Sequence, residues 1–477
     1  MLMDFYELTM ARGHMLAGSL GKIAVFDLYF RKNPFDGGYT VAAGLEQAID
    51  YVQNMRFTGG DIDFLREQDV SFGGEMAEWL RGFKFSGDIH AVGEGRVVFP
   101  GEPLVRVRAP IAEAQLIETA LLNIINHQSL IATKAARIKE AVGSDPVLEF
   151  GARRAHGPDA AVYGARAAAI AGIFQTSDAL AGRMFGIPLA GTVAHSWIQS
   201  FDDELTAFRT YAEVFPNRLV LLVDTYSTLE SGVPNAIRVF SEMRAAGTLP
   251  AAYGVRIDSG DLAYFSKRAR EMLDAAGFPK ATICASSDLD EFLISSLKSQ
   301  GARIDVWGVG TNLITAAGWQ ALGGVYKMAA EVRGGEAVPK IKLSENHEKI
   351  TNPGVKDVYR LYDARTRKIK ADIIALEGER IDESREMVIF DPRDTWKKMR
   401  LRPGEYTVEP LLAPVMAGGE RVYEPPSLAR IAEICRADMD SLWDEYKRLV
   451  NPHILPVDLS EELYALKTRM IREAKGV

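Results

Sequence analysis

Cysteine is scarce in this 477-residue sequence, which contains only Cys284 and Cys435. The two lie far apart in the chain, and neither has other cysteines or histidines nearby at the spacing of a metal site. This scarcity argues against both a disulfide framework and a zinc site. A reducing compartment is therefore expected, and we predict a cytoplasmic protein.

Long hydrophobic runs are also missing. The first twenty residues carry Asp4, Glu7, Arg12 and His14 among their apolar positions, which interrupts any signal-peptide core. No apolar run reaches the length needed to cross a membrane, so no membrane partner is expected. With 56 basic and 64 acidic residues, the net charge of -8 argues against a general nucleic-acid binder, although a local basic pocket for phosphate remains compatible with it.

Two common catalytic motifs are absent as well. No Gly-x-Gly-x-x-Gly run follows a predicted strand, which disfavours a doubly wound dinucleotide-binding sheet. No Gly-x-Ser-x-Gly elbow is present either. Ser196 follows His195 directly, but adjacent residues rarely satisfy the geometry of a nucleophile and its base, which disfavours a hydrolase.

What the chain does contain is a repeated unit of apolar strand, polar cluster and helix-length segment. Six such units within about 165 residues favour a parallel β/α barrel, in which reactive groups lie at the carboxyl ends of the strands. A doubly wound open sheet is the competing architecture. The predicted strands are 147–150, 187–190, 219–223, 253–257, 282–285 and 304–308.

The length predicts two or three domains. We expect an N-terminal α/β domain at 1–110, a catalytic barrel at 111–340 that opens with a long helix at 111–139, and a C-terminal region at 341–477. The last region carries predicted strands at 358–363 and 373–375. It ends in about sixty amphipathic helical residues, which we expect to pack back on the N-terminal domain.

The predicted strand ends collect cations and carboxylates at one mouth of the barrel. Such a mixture suits a phosphorylated sugar that loses pyrophosphate, because positive charge develops on the sugar and negative charge on the leaving group. Magnesium commonly supports this type of leaving group. The strand-end residues are Arg153, Arg154, His195, Asp224, Arg256, Asp258, Asp261, Ser286, Asp288 and Thr311.

Several motifs, in this order and spacing, resemble the nicotinate phosphoribosyltransferase family along nearly the whole chain. The strongest are Gly-Ala-Arg-Arg-Ala-His-Gly-Pro-Asp at 151–159, Thr-Ser-Asp-Ala-Leu-Ala-Gly at 176–182 and Gly-Thr-Val-Ala-His-Ser at 191–196. Shorter matching runs begin at residues 4, 255, 308, 322 and 352. The resemblance implies a type II phosphoribosyltransferase fold: an irregular β/α barrel beside a smaller α/β sandwich domain, with a C-terminal helical segment.

The resemblance also implies an activity and its partners. Nicotinate and phosphoribosyl pyrophosphate would form nicotinate mononucleotide and pyrophosphate in NAD salvage, with ATP as a co-substrate, Mg²⁺ as the metal and no tightly bound organic cofactor. The enzyme would be a ligase-type glycosyltransferase. It would act as a homodimer whose active sites combine residues of both subunits.

The resemblance assigns roles to individual residues. His195 would accept a phosphoryl group from ATP, Arg256 would bind the pyridine carboxylate and Asp258 would lie near the ribose. Tyr6, donated by the other subunit, and Phe150 would sandwich the pyridine ring. Arg153 would lie close to that sandwich, and Thr192 would contact substrate at the strand end before His195. From chemistry alone, a carboxylate should fix the tautomer of His195, and Asp224 is our candidate.

Phosphate groups are expected at the last loops of the barrel and at the lysines after them. The glycines could instead only make tight turns, and the lysines could belong to a solvated surface. The candidate residues are Gly310, Thr311, Gly323, Gly324, Lys327, Lys342, Lys349 and Lys356.

Asp178 leaves the choice of base open. The family commonly carries asparagine at the matching position, whereas related nicotinamide enzymes carry aspartate there. Nicotinamide phosphoribosyltransferase is therefore the near alternative, in which an ionised Asp178 faces the base. A barrel that binds a phosphorylated ligand without catalysis is the alternative of a different class. A structural role for His195 and a rim salt bridge between Arg256 and Asp258 also stay open.

Overall fold

The computed structural model describes residues 1–346, 349–392, 394 and 396–476. Its contacts divide the chain into two compact units. One combines Met1–Leu130 with Ala321–Val477, and the other is Ile131–Gln320. The central unit is shorter than the expected 111–340, because the strand that begins at Gly324 joins the sheet of the first unit.

The N-terminal part of the chain contains both helices and strands, and its last helix continues from the first unit into the second. The expected helix at 111–139 is divided into two helices between Leu116 and Glu118. Its elements are α1 Phe5–Leu16, β1 Ile23–Phe30, β2 Thr40–Val41, α2 Leu45–Asn54, α3 Gly59–Gln68, α4 Glu75–Arg81, β3 Asp88–Val92, β4 Val97–Val98, β5 Val105–Pro110, α5 Ile111–Leu116 and α6 Glu118–Val142.

The second unit is built from parallel strands that alternate with helices. Its elements are β6 Val147–Glu149, α7 Pro158–Ile170, α8 Ala179–Phe185, α9 His195–Gln199, α10 Glu204–Val214, β7 Leu219–Leu222, α11 Val233–Ala245, β8 Tyr253–Ile257, α12 Leu262–Ala275, β9 Thr282–Ala285, α13 Glu291–Ser299, β10 Val306–Val309 and α14 Thr311–Ile314.

The order of these strands is that of an irregular barrel. The sheet runs β6-β10-β9-β8-β7, with every pair parallel. Two isolated parallel bridges, Glu149 to Thr176 and Thr176 to Leu189, extend it beyond β6. The first and last strands of the unit are thus neighbours, as in a closed barrel. Within the described residues no strand pairing joins Leu189 to β7, so the barrel has one open seam. The segment 187–190 contributes a single bridge where a full strand was predicted.

Some of the polar residues after the strands serve to begin helices. Asp261 accepts a hydrogen bond from the Tyr264 amide at the start of α12, and Asp290 accepts from the Phe292 and Leu293 amides at the start of α13. Such N-caps satisfy amides that have no partner within the helix. Polar strand ends therefore include structural positions as well as candidate site residues.

The C-terminal part of the chain completes the first unit. β11 pairs with β1 and β18 pairs with β3 in a seven-stranded sheet ordered β12-β11-β1-β5-β3-β18-β19, and a six-stranded sheet runs β16-β15-β20-β14-β13-β17. A helical C-terminal segment forms as predicted, although β19, the short strand β20 and the irregular stretches 422–427 and 448–456 interrupt the predicted sixty residues. The elements are β11 Gly324–Arg333, β12 Glu336–Pro339, β13 Lys356–Asp363, β14 Ile369–Leu376, β15 Met387–Phe390, β16 Lys398–Leu401, β17 Tyr406–Pro410, β18 Leu412–Ala417, β19 Glu420–Arg421, α15 Leu428–Ser441, α16 Asp444–Lys447, β20 Val457–Leu459 and α17 Glu461–Lys475.

In the described part of the chain, no helix is both long and apolar enough to cross a membrane. Cys284 and Cys435 are both buried, and they form no disulfide with each other.

Candidate active site

Two neighbouring strands of the barrel bring an arginine, a serine and an aspartate into contact. Arg256 lies in β8, Asp258 follows β8 and Ser286 follows β9, so parallel pairing places all three at the carboxyl edge of the sheet. The Arg256 guanidinium donates to Asp258 Oδ1 at 3.0 Å and to Ser286 Oγ at 2.9 Å. The Ser286 hydroxyl also donates to Asp258 Oδ1. The three side chains therefore hold one another in fixed orientations.

Arg256 also faces an aromatic ring and a hydroxyl. Its Nη1 donates to Thr192 Oγ1 at 3.0 Å, and its Cζ lies 5.3 Å from the centroid of the Phe150 ring. Its side chain is only 12% exposed. Three of its five N–H donors are used by the contacts with Ser286, Thr192 and Asp258. One N–H donor on each Nη atom is therefore still available to a planar anion.

Asp224, two residues after the end of β7, supports the same edge. Its side chain is 1% exposed, and its Oδ2 accepts from the Asp258 amide at 3.0 Å and from the Ser259 hydroxyl at 2.6 Å. Its Oδ1 is buried, accepts no hydrogen bond from the described residues and lies 3.9 Å from His195 Nε2. Asp224 therefore anchors the loop after β8 and keeps one carboxylate oxygen directed at the histidine.

His195 is the first residue of α9 and has a 39% exposed side chain. Its Nδ1 lies 3.0 Å from Thr225 Oγ1, whereas its Nε2 lies 3.7 Å from Asp258 Oδ2. Asp224, our candidate for the carboxylate that fixes the tautomer of His195, faces Nε2 at 3.9 Å, which is longer than a hydrogen bond. The residue that contacts the ring at hydrogen-bond distance is Thr225, at Nδ1. It follows Asp224 at the strand end, which is the one signal in the sequence that could have pointed to it.

Phe150 is fixed at the end of β6. Its amide donates to Val309 O at 2.8 Å, and its ring covers Gly308, where a Cβ atom would lie 2.8 Å from the ring carbons. Gly308 is therefore explained by close packing against Phe150. Arg153 is exposed in the turn that follows, and none of the contacts described above reaches it.

Asp178 caps the start of α8. Its Oδ1 accepts from the Leu180 and Ala181 amides at 2.9 and 3.1 Å, and its own amide donates to Thr176 Oγ1. Aspartate and asparagine cap helices about equally well. The aspartate is therefore compatible with the same local fold that an asparagine would give.

Two loops at the carboxyl edge expose backbone in turn conformations. Ser287 and Asp288, which follow β9, have positive φ angles of 96° and 44°. Asn312 fixes this turn by donating to Asp288 O at 2.6 Å. Successive amides in such turns can bind anions, and non-glycine residues in this region store strain that often marks a functional site. Gly310 and Thr311 begin the short helix α14 after the neighbouring strand β10.

The remaining predicted phosphate residues belong to the other unit. Gly323 has a φ of +75°, and a Cβ atom at Gly324 would collide with the Asn126 side chain, so both glycines have structural reasons to be there. Lys342 and Lys349 are exposed. Lys327 is half-buried and lines a cavity of about 480 Å³ together with Arg31. Burial lowers the pKa of Lys327 from its ordinary value.

Lys356 differs from its predicted role. It lines the same cavity but is buried, and it forms an ion pair with Asp27 at 2.7 Å. Its ammonium also donates to the carbonyl oxygens of Asn352 and Gly354 at 2.9 and 2.6 Å. These contacts use all three of its donors, so a phosphate contact would require this ion pair to break.

Tyr6 lies on α1 of the same unit and is 45% exposed. Its hydroxyl interacts with the Glu118 carboxylate at the start of α6, and burial together with this negative charge raises the pKa of Tyr6 to about 12. The neighbouring Glu7 is buried and accepts from the Thr119 amide at 2.8 Å. Tyr6 and Glu7 therefore both hold helix α1 against the start of α6.

Among the described residues, no group of three or more histidine, cysteine, aspartate or glutamate side chains could enclose a metal ion. The residues therefore do not fit a resident metal cage.

Comparisons with known proteins match the chain to one family. Family models for the nicotinate phosphoribosyltransferase N-terminal and C-terminal domains match residues 1–126 and 355–467. The nicotinate phosphoribosyltransferase of Bacillus subtilis is 47% identical over 99% of this chain and 95% of that protein, and the Dictyostelium discoideum protein of the same name is 37% identical over 97% and 87%. The crystal structure of human nicotinic acid phosphoribosyltransferase has a TM-score of 0.86 at 30% identity and covers 99% of this chain and 100% of that one. These similarities confirm the fold class and the resemblance inferred from the motifs, and the chain belongs to the nicotinate phosphoribosyltransferase family.

Proposed function

We propose that this chain joins nicotinate to phosphoribosyl pyrophosphate. The pyridine nitrogen forms a bond to the anomeric carbon, the bond from that carbon to pyrophosphate breaks, and nicotinate mononucleotide and pyrophosphate leave. The observation that carries the proposal is the contact network of Arg256, Asp258 and His195 at one edge of a barrel of this family.

Arg256 and Phe150 supply a site for the base. A guanidinium fork binds a planar carboxylate through two parallel hydrogen bonds, and Arg256 keeps donors on both Nη atoms. Phe150 offers a ring face beside it for the pyridine ring. Thr192, which already contacts Arg256, would fix the angle of the fork.

Asp258 is the carboxylate suited to the sugar. Its Oδ1 is held by Arg256 and Ser286, whereas its Oδ2 faces the partly exposed His195. A fixed negative charge beside the anomeric carbon stabilises the positive charge that develops as pyrophosphate departs. Arg256 thus acts on the base, and Asp258 acts on the sugar.

The phosphate groups are expected at the turns that contain Ser287, Asp288, Gly310 and Thr311. Because the described residues offer no metal cage, we propose that Mg²⁺ arrives on the pyrophosphate oxygens of the substrate. When bound, it would neutralise charge on the leaving group.

We further propose that His195 couples ATP hydrolysis to this synthesis. Phosphoribosyl pyrophosphate already carries its leaving group, so a phosphohistidine would favour substrate binding and shift the equilibrium without forming the glycosidic bond itself. His195→Ala should then lose phosphoenzyme formation but keep some ATP-independent synthesis at high substrate concentration.

Nicotinate is favoured over nicotinamide by two contacts. Arg256 supplies the positive charge that a carboxylate requires, and Asp178 Oδ1 is occupied by the amides that begin α8. An aspartate committed to a helix cap has less freedom to accept from the amide of nicotinamide.

The decisive experiment incubates the protein with phosphoribosyl pyrophosphate, Mg²⁺, ATP and, separately, nicotinate, nicotinamide or quinolinate, and identifies the product by mass. Nicotinate mononucleotide as the dominant product supports the proposal. A dominant nicotinamide product would replace it with the near alternative, and tight substrate binding without any product would favour the non-catalytic barrel.

We also propose a cytoplasmic homodimer in which Tyr6 of one subunit completes the site of the other. The two buried cysteines form no disulfide with each other, which is compatible with a reducing compartment. A mixture of Tyr6→Ala and Asp258→Ala chains tests the shared site, because exchange of subunits would restore intact sites from two weakly active variants. Full activity of a verified monomer would contradict the proposal.

A further inference from the structure

The two nitrogens of His195 have different surroundings. Nε2 faces two carboxylates, at 3.7 Å from Asp258 Oδ2 and 3.9 Å from Asp224 Oδ1. Nδ1 faces the Thr225 hydroxyl at 3.0 Å. The ring is therefore held between a negatively charged side and a neutral side.

This asymmetry selects one tautomer of the neutral ring. The carboxylates favour an N–H group at Nε2, which leaves the lone pair on Nδ1. A threonine hydroxyl can donate as well as accept, so Thr225 can direct its proton to that lone pair. A carboxylate at position 225 would instead draw the ring proton to Nδ1.

We propose that Thr225 is a positioning residue, which holds the His195 ring with its proton on Nε2 and its lone pair on Nδ1 for phosphoryl transfer. The proposal rests on the proposed function, because it assigns the geometry of the ATP-coupled step at the same histidine.

The transfer balances with this arrangement. The Thr225 hydroxyl first turns its proton away from Nδ1. The Nδ1 lone pair then forms a bond to the terminal phosphorus of ATP, the bond from that phosphorus to the bridging oxygen breaks, and ADP leaves with the electron pair. The ring keeps its Nε2 proton and becomes positively charged beside Asp224 and Asp258. A phosphoryl group on Nε2 would instead be repelled by these carboxylates. Once Nδ1 is phosphorylated, the Thr225 hydroxyl is free to donate to a phosphoryl oxygen.

Thr225→Val and Thr225→Ser test the proposal, because valine keeps the shape and removes the hydroxyl whereas serine restores the hydroxyl. Thr210→Val is the matched control, since its hydroxyl donates only to the Thr206 carbonyl within α10. The first measurement is the ¹⁵N NMR spectrum of labelled histidine, with His195→Ala to assign the resonance. The second is the initial rate of acid-labile labelling from ATP carrying a radioactive terminal phosphate.

We expect the Nε2–H tautomer in the wild type and in Thr225→Ser, and a mixture of tautomers in Thr225→Val. Loss of one hydrogen bond should slow labelling of Thr225→Val about three- to tenfold, with a smaller effect on ATP-independent synthesis. Thr225→Ser should recover most of the rate. A wild-type tautomer and labelling rate in Thr225→Val would overturn the proposal, as would an equal loss of both activities. The NMR result does not depend on turnover, so failure of the proposed function would be recognised separately by the absence of nicotinate mononucleotide.

Discussion

Arg256 offers the sharpest test of how the base is recognised. Its side chain is 12% exposed and donates to Ser286, Thr192 and Asp258. Lysine at this position would keep the charge but lose the planar fork, and alanine would lose both. Loss of one buried charge-assisted contact costs about 1.5 to 3 kcal/mol, or roughly ten- to a hundredfold in affinity.

Steady-state kinetics with nicotinate as the varied substrate measure this effect. We expect Arg256→Lys to raise the KM for nicotinate at least about tenfold, and Arg256→Ala to raise it further and lower kcat, because Asp258 and Ser286 lose a partner. Arg209→Lys is the control, since Arg209 binds Glu242 bidentately on the surface of α10 and should behave as the wild type. Wild-type kinetics in Arg256→Lys would refute a bidentate contact with the carboxylate.

Three further outcomes are expected. Asp178→Asn should keep both the helix cap and the preference for nicotinate over nicotinamide in competition assays, and a changed preference would show that the carboxylate faces the base. Asp27→Asn should lower the free energy of unfolding by about 3 to 5 kcal/mol in denaturant titrations, because it leaves the Lys356 ammonium buried without its counter-ion; a loss below about 1 kcal/mol would contradict this. Burial raises the pKa of Glu7 from its ordinary value near 4.5 to about 7. The folded chain therefore retains a proton that the unfolded chain releases in this window, so the free energy of unfolding should fall as pH rises from about 4.5 to about 7. Glu7→Gln should weaken that dependence, and an unchanged pH profile would contradict the assignment.

The strands of the barrel could be predicted because each is a short apolar run bounded by polar residues. Five of the six predicted segments form regular strands, such as β8 and β9, whose predicted bounds match those observed. Segment 187–190 does not, since its only sheet contact among the described residues is the bridge of Leu189 to Thr176. Sequence periodicity cannot reveal where a barrel stays open, because closure depends on pairing with distant strands.

The boundaries of the two units could not be predicted, for a similar reason. β11 continues directly from the barrel in the chain, yet it pairs with β1 about three hundred residues earlier. A local pattern identifies a strand but does not identify its partner. The burial of Lys356 could not be predicted either. The residue lies in a lysine-rich region of the sequence that is typical of a surface, but in the structure it is paired with Asp27.

At the candidate site, the sequence identified the residues at the strand ends but not their contacts. Arg256, Asp258 and Asp224 lie together because parallel strands end at a common edge. The partner of His195 could not be deduced, since Asp224 and Thr225 are adjacent and only side-chain geometry decides between them.

The most direct test of the proposed mechanism measures two products in one reaction with nicotinate, phosphoribosyl pyrophosphate and ATP labelled in its terminal phosphate. Nicotinate mononucleotide and acid-labile protein label are both counted for the wild type, His195→Ala and Asp258→Ala. We expect both signals in the wild type, residual nucleotide without label in His195→Ala, and little nucleotide from Asp258→Ala with or without ATP. Equal label on wild type and His195→Ala, or undiminished synthesis by Asp258→Ala, would contradict the proposed mechanism.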